Sequence, residues 1–181
     1  MPYKLKPVIT KEEFDKLLDH ILKSKKKNKK QYALALILGF ESGMRISELV
    51  GLKYNGEWKI EPLQQDQLDF ERNYITVKQG KGQKDRIVPL PKKVNRAALK
   101  EIPFRLKRQA FQWYITKIGK EILDKDVSFH ILRAGFATHA LDKGVPIHQV
   151  QLLMGHSRID TTGVYARASP KMAVENVRDV F

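Results

Sequence analysis

The stretch Asn73-Tyr74-Ile75-Thr76-Val77-Lys78-Gln79-Gly80-Lys81-Gly82-Gln83-Lys84-Asp85-Arg86-Ile87-Val88-Pro89-Leu90 is where the chain changes its period. Two β-rich runs, 73–78 and 86–90, flank the turn sequence Gly80–Asp85, which is the pattern of an antiparallel pair. Gln67–Phe70 supplies a candidate third strand. Pro89 has no N–H to donate, so the last strand lies at an edge or ends there. Outward from this sheet the pattern is helical. Thr10-Lys11-Glu12-Glu13 reads as a capping box, and Phe14, Leu17, Leu18, Ile21 and Leu22 then share one helical face. Gln31–Phe40 is almost wholly apolar, as a buried helix would be, and Gly43 breaks it. Ile46–Leu52 reads as a short helical segment and Tyr54–Pro62 as irregular. After Pro91 the helices return: Arg105–Leu123; Phe129–Lys143, capped by Ser128 and followed by Gly144; Pro146–Met154; and a short amphipathic Ala173–Val180. The fold class expected is mainly α with a small antiparallel β-sheet, in one domain with no internal repeat.

A chain of 181 residues can bury a proper core. Its charge is unusual: 34 Lys and Arg against 20 Asp and Glu leave +14. That excess favours a polyanionic partner, nucleic acid first and an anionic membrane surface second, although a basic but merely soluble protein has the same composition. No segment approaches the roughly 18–20 consecutive apolar residues of a spanning helix, and no long apolar stretch follows Met1 as in a signal peptide. The absence of cysteine excludes disulfides and thiolate metal sites and is compatible with a reducing interior, so a cytoplasmic location is expected. The run Lys23–Lys30 has no apolar anchor and reads as an exposed loop, either solvated surface or a DNA contact.

Four segments carry potential chemistry: Gly43-Met44-Arg45-Ile46-Ser47-Glu48-Leu49; Gly80-Lys81-Gly82-Gln83-Lys84-Asp85-Arg86; His130-Ile131-Leu132-Arg133; and Leu153-Met154-Gly155-His156-Ser157, followed by Tyr165. Each alone has an ordinary reading. Arg45 and Glu48 are spaced as a helical ion pair, Lys81 could sit at any hairpin tip, and His130 and Arg133 could merely cap or pair. Gly155-His156 could end a helix, and Tyr165 could be a half-buried tyrosine. Taken together they supply two arginines, two histidines, a lysine and a tyrosine, with no obvious metal cluster. Phosphodiester transfer needs such a set. The non-bridging oxygens gain charge in the transition state, and arginine offers a planar fork matched to phosphate. A neutral phenol needs activation to attack, and a departing 5′ oxygen needs a proton that a lysine can give.

From about Lys6 to Ala168 these segments, in this order, resemble the conserved boxes of the tyrosine recombinases, most closely the Xer and integrase branches. The resemblance implies a tyrosine recombinase catalytic-domain fold and residue roles. Arg45 and Arg133 clamp the scissile phosphate. Lys81 is the general acid for the leaving 5′ hydroxyl, with Lys84 the second choice. His130 handles the proton at the tyrosine, and His156 (tryptophan in some members) helps bind the phosphate. Tyr165 is the nucleophile of a 3′-phosphotyrosyl link. Glu48 stands where an acidic residue supports the arginine, in a structural or a catalytic capacity.

The resemblance further implies site-specific strand exchange on double-stranded DNA without ATP, metal or other cofactor. It implies a synapse of four protomers on two duplexes, with a monomer in the absence of DNA and no membrane partner. Alternatives are a type IB topoisomerase-like activity or a non-catalytic DNA-binding protein of the same fold. A metal-dependent nuclease is disfavoured, because Asp124, Asp126 and Asp160 are scattered.

The sequence also departs from the family pattern. Ala134 replaces a residue that is commonly polar, 54–65 reads as an insertion, and Pro91–Arg105 looks shortened. There is no room before Thr10 for the N-terminal helical domain usual in the family, so 1–181 reads as a single catalytic domain. The C-terminal stretch 170–181 packs either on a neighbouring protomer or on its own domain, and both remain open from sequence.

Overall fold

The structure is a computed structural model that describes residues 8–78, 85–155 and 170–181. Helix α1 (Lys11–Lys23) starts at the predicted capping box: Thr10 Oγ1 accepts from the Glu13 N–H at 3.3 Å, and Glu13 Oε2 accepts from the Thr10 N–H at 3.0 Å. Helix α2 (Lys29–Glu41) is buried along nearly its whole length, as its apolar composition requires. Phe14 of α1 stacks on Phe40 of α2 with ring centroids 4.4 Å apart. Helix α3 (Ile46–Val50) follows after the turn at Gly43.

The sheet is three-stranded and antiparallel, ordered β3 (Leu68–Asp69), β4 (Tyr74–Val77), β5 (Arg86–Pro89). Ile75 pairs with Val88 and Val77 with Arg86. Strand β5 lies at the edge, where Pro89 costs no ladder bond. Beyond the sheet come a 3-10 turn over Arg96–Glu101, helix α4 (Arg108–Leu123), α5 (Phe129–Asp142), α6 (Ile147–Met154) and α7 (Pro170–Arg178). Ser128 caps α5 by accepting from the Ile131 N–H at 3.3 Å.

The segment read as irregular, Tyr54–Pro62, is not irregular throughout. Strands β1 (Leu52–Tyr54) and β2 (Glu57–Ile60) form a separate two-stranded hairpin. Its tip is Asn55-Gly56, both with positive φ (49° and 85°), the pair that tight hairpins favour because their twist matches that of the strands. Hydrophobic alternation did not reveal the strands, because the hairpin is largely exposed. It also shortens the preceding helix: Gly51, with φ of 78°, ends α3. A Cβ there would lie 2.4 Å from the Trp58 ring, so the bare glycine provides the seat on which Trp58 rests. The Leu63 N–H donates to the Leu49 carbonyl at 3.1 Å, so the excursion leaves and rejoins the domain at nearly one point.

Two hydrophobic clusters fill the interior. The larger lies among α1, α2, α4 and the start of α5; the smaller joins Phe136 and Ala140 of α5 to Val150 and Leu153 of α6 and to Val174 and Val177 of α7. Phe181 touches both, stacking on Phe136 at 5.6 Å and meeting Phe40 edge-on at 5.7 Å. In this single chain α7 therefore lies against its own domain. Close passage of α5 over α2 and the N-terminal segment depends on Gly135, where a Cβ would come within 2.7 Å of the Ile9 carbonyl oxygen and 2.8 Å of the Phe40 ring. Gly135→Ala is expected to cost about 1–3 kcal/mol through overpacking. In urea unfolding the midpoint should fall with an unchanged slope; an unchanged midpoint would mean that the crossing is not tight.

Candidate functional site

Three guanidinium groups converge on the C-terminal end of α6. That end has unsatisfied carbonyls and the negative end of the helix dipole, and Gly155, with φ of 63°, turns the chain away from it. Arg86 donates through Nε to the Leu153 carbonyl at 2.7 Å. Arg133 donates to the Met154 carbonyl and, through its other terminal nitrogen, to the Gly43 carbonyl. Arg45 reaches the Met154 carbonyl at 3.5 Å. Cations close a helix C-terminus favourably, and three at one end create a local concentration of positive charge.

One carboxylate offsets that charge. Glu48, on α3, is gripped by Arg86 in a two-pronged pair, NH1 to Oε1 at 2.8 Å and NH2 to Oε2 at 2.9 Å. The same carboxylate accepts from Arg45 NH1 at 2.8 Å and from the Arg45 backbone N–H at 2.7 Å. The Glu48 and Arg86 side chains are only 4% and 7% exposed, whereas that of Arg45 is 39% exposed. The buried pair thus holds a second, accessible guanidinium by its edge. Among the described residues no carboxylate pairs with Arg133, which is buried with carbonyl partners alone.

Local sequence explains how these groups meet. Helix α2 stops at Glu41, and Gly43 takes a φ of 64° with the Phe136 ring where a Cβ would stand. Only glycine fits this turn comfortably. The turn presents the Gly43 carbonyl to Arg133 and starts α3 with Arg45 at its N-cap. Arg133 lies one helical turn beyond His130, which is exposed in the first turn of α5.

The electrostatics follow from this packing. Burial pushes the Glu48 carboxyl upward, but the hydrogen bonds and charge of Arg86, with those of Arg45, outweigh it and leave the group below the usual carboxylate range. For Arg133, burial and the charges of Arg45 and Arg86 act together, and only Glu48 opposes them; the guanidinium is pushed down to about 9. It remains a cation at neutral pH, in surroundings that an anion would improve. Three arginines and one carboxylate give the cluster a charge of +2. Among the described residues no three His, Asp or Glu side chains are grouped as metal ligands would be, and no helix is long and apolar enough to cross a membrane.

The structure brings Arg45 and Arg133 together at α6, with His130 on the same helix as Arg133. Lys81, Lys84, His156 and Tyr165 lie outside the described residues. Sequence reading assigned no part to Arg86, although its box was singled out. The available signal was an arginine opening an apolar edge strand at a position that turns inward.

The chain as a whole is similar to known proteins. The sequence profile of the phage integrase family matches residues 7–172. Tyrosine recombinase XerA of Thermococcus kodakarensis is 33% identical over 195 residues, covering 98% of this chain and 62% of that protein. Tyrosine recombinase XerD of Lacticaseibacillus casei is 32% identical over 157 residues, covering 73% and 48%. Among solved structures, XerA recombinase superposes with a TM-score of 0.66 at 21% identity, covering 98% of this chain and 66% of that one. The integrase of mycobacterium phage Brujita superposes with a TM-score of 0.68 at 20% identity, covering 100% and 60%. The chain spans about three fifths of the length of the first of these relatives.

Glu48→Ala is expected to cost about 3–5 kcal/mol at neutral pH, because it leaves Arg86 buried without its counter-ion. Since Glu48 titrates lower in the folded than in the unfolded chain, its contribution is complete above the unfolded value of about 4.3. It is lost as pH falls through the folded value. The stability gap between wild type and Glu48→Ala, followed by urea unfolding from pH 7 to pH 3, should therefore narrow on acidification; a constant gap would contradict the pairing. With the arginine boxes, their order along the chain and the recombinase fold on record, this chain belongs to the phage integrase family, that of the tyrosine recombinases.

Proposed function

We propose that the chain carries out site-specific cleavage and rejoining of double-stranded DNA through a 3′-phosphotyrosyl intermediate. The observation that supports this most is the +2 cluster, in which Arg45 and Arg133 share the Met154 carbonyl as neighbour and only Arg45 shares a carboxylate. A phosphodiester brought against both guanidiniums would receive charge-assisted hydrogen bonds, and the benefit would grow as its oxygens gain charge. The Tyr165 oxygen attacks phosphorus and the bond to the 5′ oxygen breaks. Lys81 gives that oxygen its proton, while His130 handles the proton at the tyrosine and His156 contributes to phosphate binding. Attack by a 5′ hydroxyl from a second duplex reverses the chemistry and joins new strands. Bond energy is kept in the phosphotyrosine, so no ATP is consumed.

DNA as the partner accords with the net charge of +14 and with the exposed residues Arg105, Lys107, Arg108 and Gln109 before and in the first turn of α4. The XerH site-specific recombinase, an example of the same fold with a TM-score of 0.58 and 23% identity, has been captured on its difH substrate before cleavage. Assembly of four protomers on two duplexes, with 170–181 exchanged between neighbours, belongs to the same proposal.

Incubation with a nicked suicide duplex should yield a detergent-resistant protein–DNA adduct that disappears in Tyr165→Phe. Arg133→Ala should abolish the adduct while leaving much of the DNA affinity; undiminished cleavage would refute the phosphate clamp. DNA affinity should also fall steeply with salt, and Arg108→Ala should flatten the logarithmic slope by roughly one. A slope near zero for the wild type would remove DNA as the partner.

A further inference from the structure

We infer that Arg86 is a positioning residue for the phosphate clamp, keeping Glu48 engaged so that Arg45 retains its charge and its outward reach. The inference rests on the proposed strand-transfer reading, although the geometry behind it stands independently. Arg86 uses all three guanidinium nitrogens: two on the Glu48 carboxylate and one on the Leu153 carbonyl. It is nearly inaccessible, so it touches no substrate itself. Its position at the first residue of β5 places it opposite Val77. From there it ties three separate segments together: the sheet edge, the helix that begins at the arginine box, and the end of α6.

The consequence for Arg45 is one of competition. Glu48 has two oxygens, and Arg86 draws on both. Arg45 NH1 shares one of them, while among the described residues NH2 has only the long contact to the Met154 carbonyl. Without Arg86, the buried carboxylate would have Arg45 as its nearest cation. A forked pair between them would neutralise Arg45 and draw its guanidinium inward, and the cluster would fall from +2 to +1. The sharing also explains why a buried carboxylate beside a phosphate clamp does not defeat it, since both oxygens of Glu48 are engaged by a cation that is not itself one of the clamping arginines. Lysine at position 86 would keep the charge but offer no planar fork, and so could not engage both oxygens and the carbonyl together.

The test is a double-mutant cycle on Arg86→Met and Glu48→Gln, read in two ways: the rate of adduct formation on the suicide duplex, and thermal stabilisation by inorganic phosphate at constant ionic strength. Arg86→Met should slow adduct formation on the order of 100-fold, the penalty of a small misplacement at a reacting centre, and should abolish stabilisation by phosphate. Adding Glu48→Gln to Arg86→Met should recover most of both, because no carboxylate remains to capture Arg45. Arg86→Lys should keep the melting temperature nearer to wild type than Arg86→Met does, yet still be slow. If Arg86→Met cannot be obtained folded, the uncharged double variant decides the matter: near-wild-type phosphate stabilisation supports the inference, and its loss overturns it. Arg86→Met behaving as wild type, or a double variant no better than Arg86→Met, also overturns it. If wild type forms no adduct on any duplex but the phosphate readings follow the cycle, the strand-transfer reading fails and the division of charge by Arg86 stands.

Discussion

The carboxylate of Glu48, almost completely buried and held between Arg86 and Arg45, is the interaction on which the arrangement of the site depends. A buried carboxylate is costly to desolvate, and a buried guanidinium equally so. The two are tolerated because every oxygen of Glu48 has a donor and every nitrogen of Arg86 has an acceptor. Such a pair adds little net stability compared with an apolar replacement, but it fixes geometry, since a fork pair accepts only one mutual orientation. It locks β5 to α3 and, through the Leu153 carbonyl, both of them to α6. Arg133 closes the same arrangement from α5 by bridging the Gly43 and Met154 carbonyls.

Polar convergence of this kind requires rigid surroundings. Gly43 supplies the turn that exposes its own carbonyl, and Phe136 fills the space where a side chain would have stood. Phe136 in turn stacks on Phe181, which also meets Phe40 and the His139 ring, while the Val180 carbonyl lies 3.0 Å from His139 Nε2. The C-terminus therefore buttresses the helix that bears Arg133. The β1–β2 hairpin affects the site less: it is seated on Gly51 by Trp58 and closed by the bond between Leu49 and Leu63, so the excursion between them leaves the Arg45–Glu48 turn undisturbed.

Much of this could be read along the chain. The capping box at Thr10, the apolar run of α2, the Ser128 cap and the edge position of the strand with Pro89 are local matters of hydrogen bonding and side-chain shape, and local sequence reports them. The hairpin at Asn55-Gly56 was missed because period-2 alternation reports burial, and this hairpin is mostly exposed; its turn residues carried the signal instead. The boxes around Arg45, Arg133, His156 and Tyr165 were visible as residue types in a family order, which is enough to nominate chemistry.

Sequence by itself determined most of the inventory: a basic, mainly helical chain with a small three-stranded sheet, and a set of phosphate-compatible side chains in recombinase order. Tertiary structure alone decided which charges would share one carboxylate. Arg86 and Glu48 are far apart in the chain, and so are Arg133 and the Gly43 carbonyl, and no periodicity links them. Their pairing arises because α6 ends where α3, β5 and α5 meet, and a helix end in a low-dielectric interior must find donors for its last carbonyls. The physical reason is that local preferences act over a turn or two of chain, whereas the desolvation of a buried charge is settled only by whatever the completed fold places beside it.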